Sequence, residues 1–299
     1  MELSQTAFDQ IRAWIHEACG IYLHPGKEYL IQQRLGGMVL SEGCRDFTAF
    51  AQKLRNTPDP DLKKRVIAAI TTNETYFFRD QHPFDTLNSQ LLPHFSKKIR
   101  QKRSKGQKAV IRIWSAGAST GQEAYSIAML IHEYCQKNTA AGLRVQDFEI
   151  LGTDISTPAL ARAQAGEYSD LEIGRGLSPA RRDKYFSRIA ENRWKLSHEI
   201  RNIPVFRTMN FMENFSGLGV FDLIFCRNVL IYFDEATKNR IFDRFAAMLE
   251  PDGHLILGGS ENIYGLSTAF RSRKEGMTLL YEKNASHGSL CISGSTRSF

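Results

Sequence analysis

The sequence predicts an α/β protein: a mostly parallel sheet with crossover helices, a small β-subdomain inserted into it, and an all-helical segment in front. Three observations lead there. Apolar residues recur at helical spacing through the first 70 positions. After residue 108, short apolar runs alternate with helical stretches. The first of those runs stops at a glycine-rich turn that opens a helix, and the next run ends in an acid. The chain has 299 residues, 42% hydrophobic and 24% charged, which excludes a disordered or collagen-like polymer. No apolar run approaches the roughly 20 residues of a membrane helix. The start, MELSQTAFDQ, lacks the basic-then-apolar pattern of a secretory leader. Five cysteines, widely spaced and without a CxxC pair, predict neither a disulfide framework nor a structural zinc, and a reducing cytoplasm is the expected compartment.

In chain order, Phe8, Ile11, Trp14 and Ile15 mark a helix over 5–18. Ser41 and Glu42 are read as the start of another, with Phe47, Phe50, Ala51 and Leu54 on its apolar face. Asp59 to Ile70 repeats the pattern with Leu62, Val66, Ile67 and Ile70. Pro25-Gly26 and Pro58-Asp59-Pro60 punctuate these helices. Strands are predicted at 110–114, 148–154, 221–227, 254–259 and 277–281, with helices at 122–136, 158–164 and 236–249 between them. The stretch from about 168 to 208 breaks this alternation. Its short helix to Phe186 and the runs Arg193–Leu196 and Pro204–Phe206 predict the small β-subdomain. The tail from 284 to 299, rich in Ser and Gly, is expected to be disordered.

The net charge of +7 is concentrated. Residues 1–80 balance ten bases against ten acids, and 151–299 hold 19 against 17. The run Lys97 to Lys108 carries seven bases and no acid. It reads either as a solvated helix end or as a footprint for an anionic partner. It lacks the interleaved aromatics that stack on nucleic-acid bases.

The chemistry-bearing signal is strand, glycine turn, helix, strand, acid. Gly117 and Gly121 let the backbone turn sharply and approach a ligand closely. Asp154 ends the second strand, where a carboxylate receives ribose hydroxyls. The turn is not a full GxGxxG, so dinucleotide phosphate binding is disfavoured. No Walker, HExxH or GxSxG motif occurs. The histidines lack metal-ligand spacing, and Cys226 sits inside an apolar strand as a buried thiol. Two polar segments have no simple structural purpose. One is Thr71–Asp80, which places a Tyr and two Phe among Asn, Thr and Arg; the other is Asn228 with Ile231-Tyr232-Phe233 behind it.

TTNETYFFRD, WSAGASTGQEAYSIA, GTDIS, FDLIFCRNVLIYF and PDGHLILGGSEN, in that order, resemble the CheR family of chemotaxis receptor methyltransferases. The resemblance runs from about residue 10 to 283. It implies an all-helical N-terminal domain at 1–70, a cofactor-clamping linker at 71–83, and a Rossmann-like S-adenosylmethionine-binding methyltransferase domain at 84–283 that carries the inserted subdomain. It implies methyl transfer from S-adenosylmethionine, leaving S-adenosylhomocysteine, to glutamates in the cytoplasmic helical region of transmembrane chemoreceptors. No metal, nucleic acid or membrane insertion is implied, and a monomer suffices. Asn73, Thr75 and Arg79 would close over the cofactor, Glu123 would lie near its methionine moiety, and Asp154 would hold the ribose. Asn210 and Phe211 would bracket the adenine. Arg227 and Asn228 match the family's Arg-Asn pair, and Tyr232 matches a tyrosine near the methyl group. A basic residue is also implicated, and Arg100 and Arg103 are the candidates from the 97–108 run. Receptor-docking candidates are Arg34, Lys53 and Arg55. Some members grip a receptor C-terminal pentapeptide with a glycine-containing loop; the matching stretch here, Arg188–Arg193, is short and has no glycine. This predicts pentapeptide independence.

The chemistry is coherent with these residues. A glutamate acceptor has an ordinary pKa of about 4.3 and is already ionised at neutral pH, so no general base is required. Positioning carries the reaction. A nucleic-acid methyltransferase is disfavoured, since the chain has neither an Asn/Asp-Pro-Pro-aromatic motif nor a Pro-Cys nucleophile. The remaining alternatives are a chemosensory pathway other than swimming and a cofactor-binding module without catalysis.

Overall fold

The computed structural model describes residues 1–284; the expected disorder of the tail falls on 285–299, outside the described residues. Four helices lead: α1 (Gln5–Cys19), α2 (Glu28–Ser41), α3 (Phe47–Asn56) and α4 (Pro60–Ile70). Their apolar faces close one core around Phe8, Ile11, Ile31, Leu35, Phe50 and Val66. The helix start expected at Ser41 is instead the end of α2. The cap of α3 is Asp46, whose carboxylate accepts from the Ala49 amide at 2.7 Å. Two of the three candidate docking bases are engaged in holding this bundle. Arg34 donates to the carbonyls of Ile70 and Thr71, and Lys53 pairs with Glu42 at 2.7 Å.

A strap, residues 71–81, leads to α5 (His82–Thr86), which runs through a π-helical stretch into α6 (Leu92–Ser104). The α/β unit follows: β1 (Ile111–Ala116), α7 (Gln122–Lys137), β2 (Phe148–Asp154) and α8 (Thr157–Ala165). The insert comprises β3 (Glu167–Tyr168), α9 (Asp170–Gly174), α10 (Pro179–Tyr185), β4 (Phe186–Ala190), β5 (Arg193–Leu196) and α11 (His198–Arg201). Then come β6 (Pro204–Thr208), β7 (Phe221–Cys226), α12 (Glu235–Met248), β8 (Leu249–Leu257), β9 (Phe270–Glu275) and β10 (Thr278–Lys283).

The large sheet has the order β6-β2-β1-β7-β8-β10-β9. The pairs from β6 to β8 are parallel, and β10 runs antiparallel to both its neighbours. Both faces are covered, which is why β1 and β7 read as continuous apolar runs. On one face Ile113, Ile150, Leu223 and Phe225 pack with α5, α6 and α7. On the other, Trp114, Ile224 and Leu255 pack with Phe242 and Phe245 of α12. Trp114 is fully buried and satisfies its indole N–H on the Thr153 hydroxyl at 2.8 Å.

One expectation is corrected here, and one strand is found that the sequence does not predict. Pro204–Phe206 does not belong to the small subdomain, whose sheet is β3-β5-β4; it starts β6, which joins the large sheet beside β2. Proline tolerates that place because β6 is an edge strand. And β9, with its exposed Arg271, Arg273 and Lys274, is a strand that apolar periodicity does not reveal.

The insert is pinned by Arg181 of α10. Its guanidinium makes two bonds, both 2.9 Å, to Glu133 of α7, and lies 4.2 Å from the ring centre of Phe78 in the strap. Burial would push the Glu133 carboxyl up, but the hydrogen bonds and charge of Arg181 outweigh it and hold the group below its ordinary 4.5. A carboxyl lowered on folding contributes stability above its unfolded pKa and loses it as the pH falls through the folded one. Glu133→Gln is therefore expected to destabilise the protein at pH 7 and to differ little from wild type once the pH falls below the lowered value. Urea unfolding at both pH values measures this.

Candidate active site

A cleft of about 880 Å³, mouth included, opens at the carboxyl ends of β1, β2 and β7. Its floor begins at the glycine turn. Gly117 and Ala118 amides both donate to the Thr153 carbonyl at 2.8 Å, which folds the turn back over β2. Gly117 sits at φ +86°, and a Cβ there would lie 2.3 Å from Cγ2 of Val229. Ser119 then presents its amide to Asp154 at 2.8 Å, while the Ser156 amide bonds the other oxygen at 2.9 Å. Burial pushes the Asp154 carboxyl up, and these backbone donors oppose the rise. Its orientation is thereby set, and each oxygen keeps a lone pair for a ligand hydroxyl.

Glu123 stands in the first turn of α7, buried, accepting from the Ser115 hydroxyl at 2.8 Å and from Arg227 at 3.1 Å. Burial raises its carboxyl above the ordinary value, against the pull of the Arg227 charge. Arg227, the residue after β7, spends its other terminal nitrogen on the Arg79 carbonyl at 2.7 Å and the Asp80 carboxylate at 2.8 Å. One guanidinium thus joins α7, β7 and the strap. The strap's apolar residues now have a purpose. Phe77 and Phe78 are buried in the main core, and the Phe78 amide donates to the Ser126 hydroxyl at 2.9 Å. Phe78 and Asp80 take positive φ, which turns the strap sharply into α5. Tyr76 lies between Arg79 and Arg175, whose guanidinium carbons are 5.5 and 4.2 Å from its ring centre.

Asn73, Thr75 and Arg79 of the strap line the cleft with Gly117, Glu123, Asp154, Asn210, Phe211, Arg227, Asn228 and Tyr232. The structure thus brings eleven of the thirteen predicted site residues together. Arg100 and Arg103 do not join them. Arg103 bonds the Gly142 carbonyl and Asp147, and Arg100 lies exposed on α6. The basic side chain at the cleft other than Arg227 is Arg79. Part of the 97–108 run is structural, since Lys98 pairs with Asp222 and Asp252 at 2.7 and 2.6 Å.

Sequence reasoning missed the N-terminal wall of the cleft. Cys19 and Ile21 line it, and the first domain is tied down beside them. Asn210 donates to the Ala18 carbonyl at 2.8 Å, the Tyr22 amide donates to the Tyr232 carbonyl at 2.8 Å, and Ile21 bridges to Phe233. Ile155 and Met209 were missed too, although they directly follow Asp154 and precede Asn210.

The residues fit S-adenosylmethionine. The side-chain oxygens of Asn73 and Asn228 are buried at the cleft without a hydrogen-bond partner, which leaves two acceptors for a donor-rich ligand. Glu123 offers a carboxylate to a cationic amino-acid moiety, Asp154 offers one to ribose, and Phe211, Met209 and Ile155 offer apolar surface to a base.

Gly117→Ala is expected to lower stability by at least about 1 kcal/mol, because the position has positive φ. It is also expected to displace Val229 and weaken binding of S-adenosylhomocysteine. Thermal unfolding and calorimetric titration measure the two effects.

Comparison with known sequences agrees with the geometry. Residues 73–278 match the family described as CheR methyltransferase, SAM binding domain, and 6–71 match CheR methyltransferase, all-alpha domain. The chain is 36% identical to chemotaxis protein methyltransferase Cher2 of Pseudomonas putida over 282 residues, covering 94% of this chain and 99% of that protein. It is 38% identical to chemotaxis protein methyltransferase 1 of Pseudomonas aeruginosa, covering 89% and 93%. Chemotaxis protein methyltransferase 1 of Vibrio cholerae is 37% identical, with 94% and 98% covered. A glycine turn joined to an acid-ended strand, a strap sealed by a buried arginine, and two family domains in register lead to one conclusion: the chain belongs to the CheR methyltransferases, S-adenosylmethionine-dependent enzymes of chemotaxis.

Proposed function

We propose that this enzyme methylates glutamate side chains in the cytoplasmic helical region of transmembrane chemoreceptors, forming glutamyl methyl esters, and that it works in the cytoplasm. The observation that carries this is the composition of the cleft. It gathers ligand-positioning groups and, among the described residues, no histidine lines it. Its carboxylates are already engaged, Glu123 by Ser115 and Arg227, Asp154 by the Ser119 and Ser156 amides, and Glu74 by Arg175; a glutamate acceptor, ionised at neutral pH, needs no base from them. When bound, S-adenosylmethionine supplies an activated methyl group. Asp154 would hold its ribose, Phe211 would pack against its adenine on the wall that Asn210 braces, and Glu123 would face its methionine moiety. Asn73 and Thr75 close over it from the strap. Gly117 gives it room at the turn. Arg227 keeps the strap shut, and Asn228 would offer its unpartnered side-chain oxygen to the bound cofactor or acceptor. Tyr232 and Arg79 orient the incoming carboxylate, by hydroxyl and by charge, and the strap excludes water around it. Such orientation can supply roughly 7–11 kcal/mol of the barrier.

Transfer of labelled methyl to receptor-containing membranes, released as methanol by mild alkali, is the expected signature of the ester. Cofactor binding without alkali-labile label on any receptor would instead indicate a binding module. Tyr232→Phe is expected to lower turnover by roughly 10- to 100-fold, the value of a hydrogen bond to a charged group. Its affinity for S-adenosylhomocysteine should stay near wild type, and a large loss of that affinity would remove Tyr232 from the acceptor side.

The β4–β5 connection is a tight reversal at Ala190–Arg193 with Asn192 at positive φ. It supports recognition of receptors without a C-terminal pentapeptide. Titration with receptor-tail pentapeptides is expected to give no specific binding, and a tight, sequence-specific complex would refute it.

A further inference from the structure

We infer that Glu261 is a positioning residue for methyl transfer, acting as the buried anchor that shapes the loop carrying Asn228 and Tyr232. The loop after β7 has no strand partner. Its amides need acceptors, and a buried amide left without one costs about 1–3 kcal/mol. Glu261 supplies them. One carboxylate oxygen accepts from the amides of Asn228 at 2.7 Å and Gly258 at 2.8 Å. The other accepts from Val229 at 2.9 Å, Leu230 at 2.7 Å and Ile231 at 3.3 Å. Four successive amides thus converge on one side chain, which is only 8% exposed and has no ion pair among the described residues.

The surroundings are shaped for this contact. A Cβ at Gly258 would lie 2.7 Å from the Glu261 oxygen and 2.9 Å from the Asn228 amide. Only a glycine lets the two loops approach so closely. Asn228 takes φ +59°, the left-handed region that asparagine tolerates better than most residues. Its side-chain oxygen is left facing the cleft without a partner. Val229 is locked against Gly117, and the Tyr232 carbonyl is bonded to the Tyr22 amide. Glu261 does not itself line the cleft. It acts through the backbone, fixing where Asn228 and Tyr232 stand relative to the acceptor. The consequence for turnover rests on the function proposed above; the hold on the loop does not.

Hydrogen exchange and kinetics on the full chain test the two parts separately. In the wild type, the amides of 228–230 are expected to exchange slowly although they lie in a loop. Glu261→Gln sets an amide N–H₂ against backbone donors. It should release protection at 228–231 while 221–226 and 235–248 stay protected. Turnover should fall by about 100-fold, the cost of misplacing reacting groups by about 1 Å. Affinity for S-adenosylhomocysteine should fall far less, because Asp154, Asn210 and the strap remain in place. Glu261→Asp keeps the charge on a shorter arm and is expected to restore part of the protection and part of the turnover. Free exchange of 228–230 in the wild type would overturn the inference. So would unchanged protection in either folded variant, or a parallel loss of turnover and cofactor affinity. If receptor methylation is not the activity, wild-type turnover is absent, and the exchange data still decide the role of Glu261.

Discussion

Arg227 is the charge around which the rest of the site is arranged. A guanidinium that is almost wholly buried needs partners, and both terminal nitrogens of Arg227 have them while its Nε is left without one. Here they come from three places: Glu123 at the start of α7, Asp80 in the strap, and the Arg79 carbonyl. The penalty for breaking any one of these forces the three segments into register. Because Arg227 directly follows β7 and Glu123 is the second residue after the glycine turn, the same register also fixes the distance between the two strand ends that bound the cleft. The strap is held shut by core-like forces, with Phe77 and Phe78 as its apolar anchors.

The cleft has walls from two domains, and this explains where polar groups are satisfied and where they are left open. Asn210 commits its side-chain nitrogen to the Ala18 carbonyl and its oxygen to the Met212 amide. Asn73 and Asn228 leave their oxygens free. An Asn whose bonds are complete braces the cleft, and one with an open acceptor is available to a ligand. Oriented, unpaired acceptors in a closed site cost stability in the free protein, and a donor-rich ligand recovers it.

Much of this was legible in the sequence, for physical reasons. Helical and strand periodicities report burial on one or two faces, so α1, α4, β1, β2 and β7 were read close to their observed bounds. The glycine turn and Asp154 were legible because positive φ and strand-end acids have few other uses. Elements whose identity depends on distant partners were not. Ser41 and Asp46 are both plausible caps, and only packing of α2 against α3 and α4 decides between them. The charged β9 is a strand because β10 pairs with it. The basic run 97–108 draws attention by its density, yet exposed charge is cheap, and the arginines at the cleft are isolated residues, Arg79 at the end of the aromatic strap and Arg227 after β7. Glu261 was invisible for the opposite reason. It stands in the segment PDGHLILGGSEN that carries part of the resemblance, but nothing in the sequence gives it a task, and its role lies in the amides brought to it by the fold.

The attachment of the N-terminal helices to the cleft wall has a thermodynamic consequence. Tyr22, Ala18 and Ile21 join the bundle to the loop and to β6's outgoing segment, and the strap is the covalent link between the same two bodies. A ligand in the cleft therefore contacts both bodies at once and binds the docked arrangement more tightly than an undocked one. By linkage, anything that grips the helical bundle and favours docking raises affinity in the cleft by the same factor, and the converse holds. A partner that touches only the bundle, far from the transferred methyl group, thus has a direct energetic route to the chemistry. The bundle reaches the lining of the site ahead of the strap through two residues alone, Cys19 and Ile21.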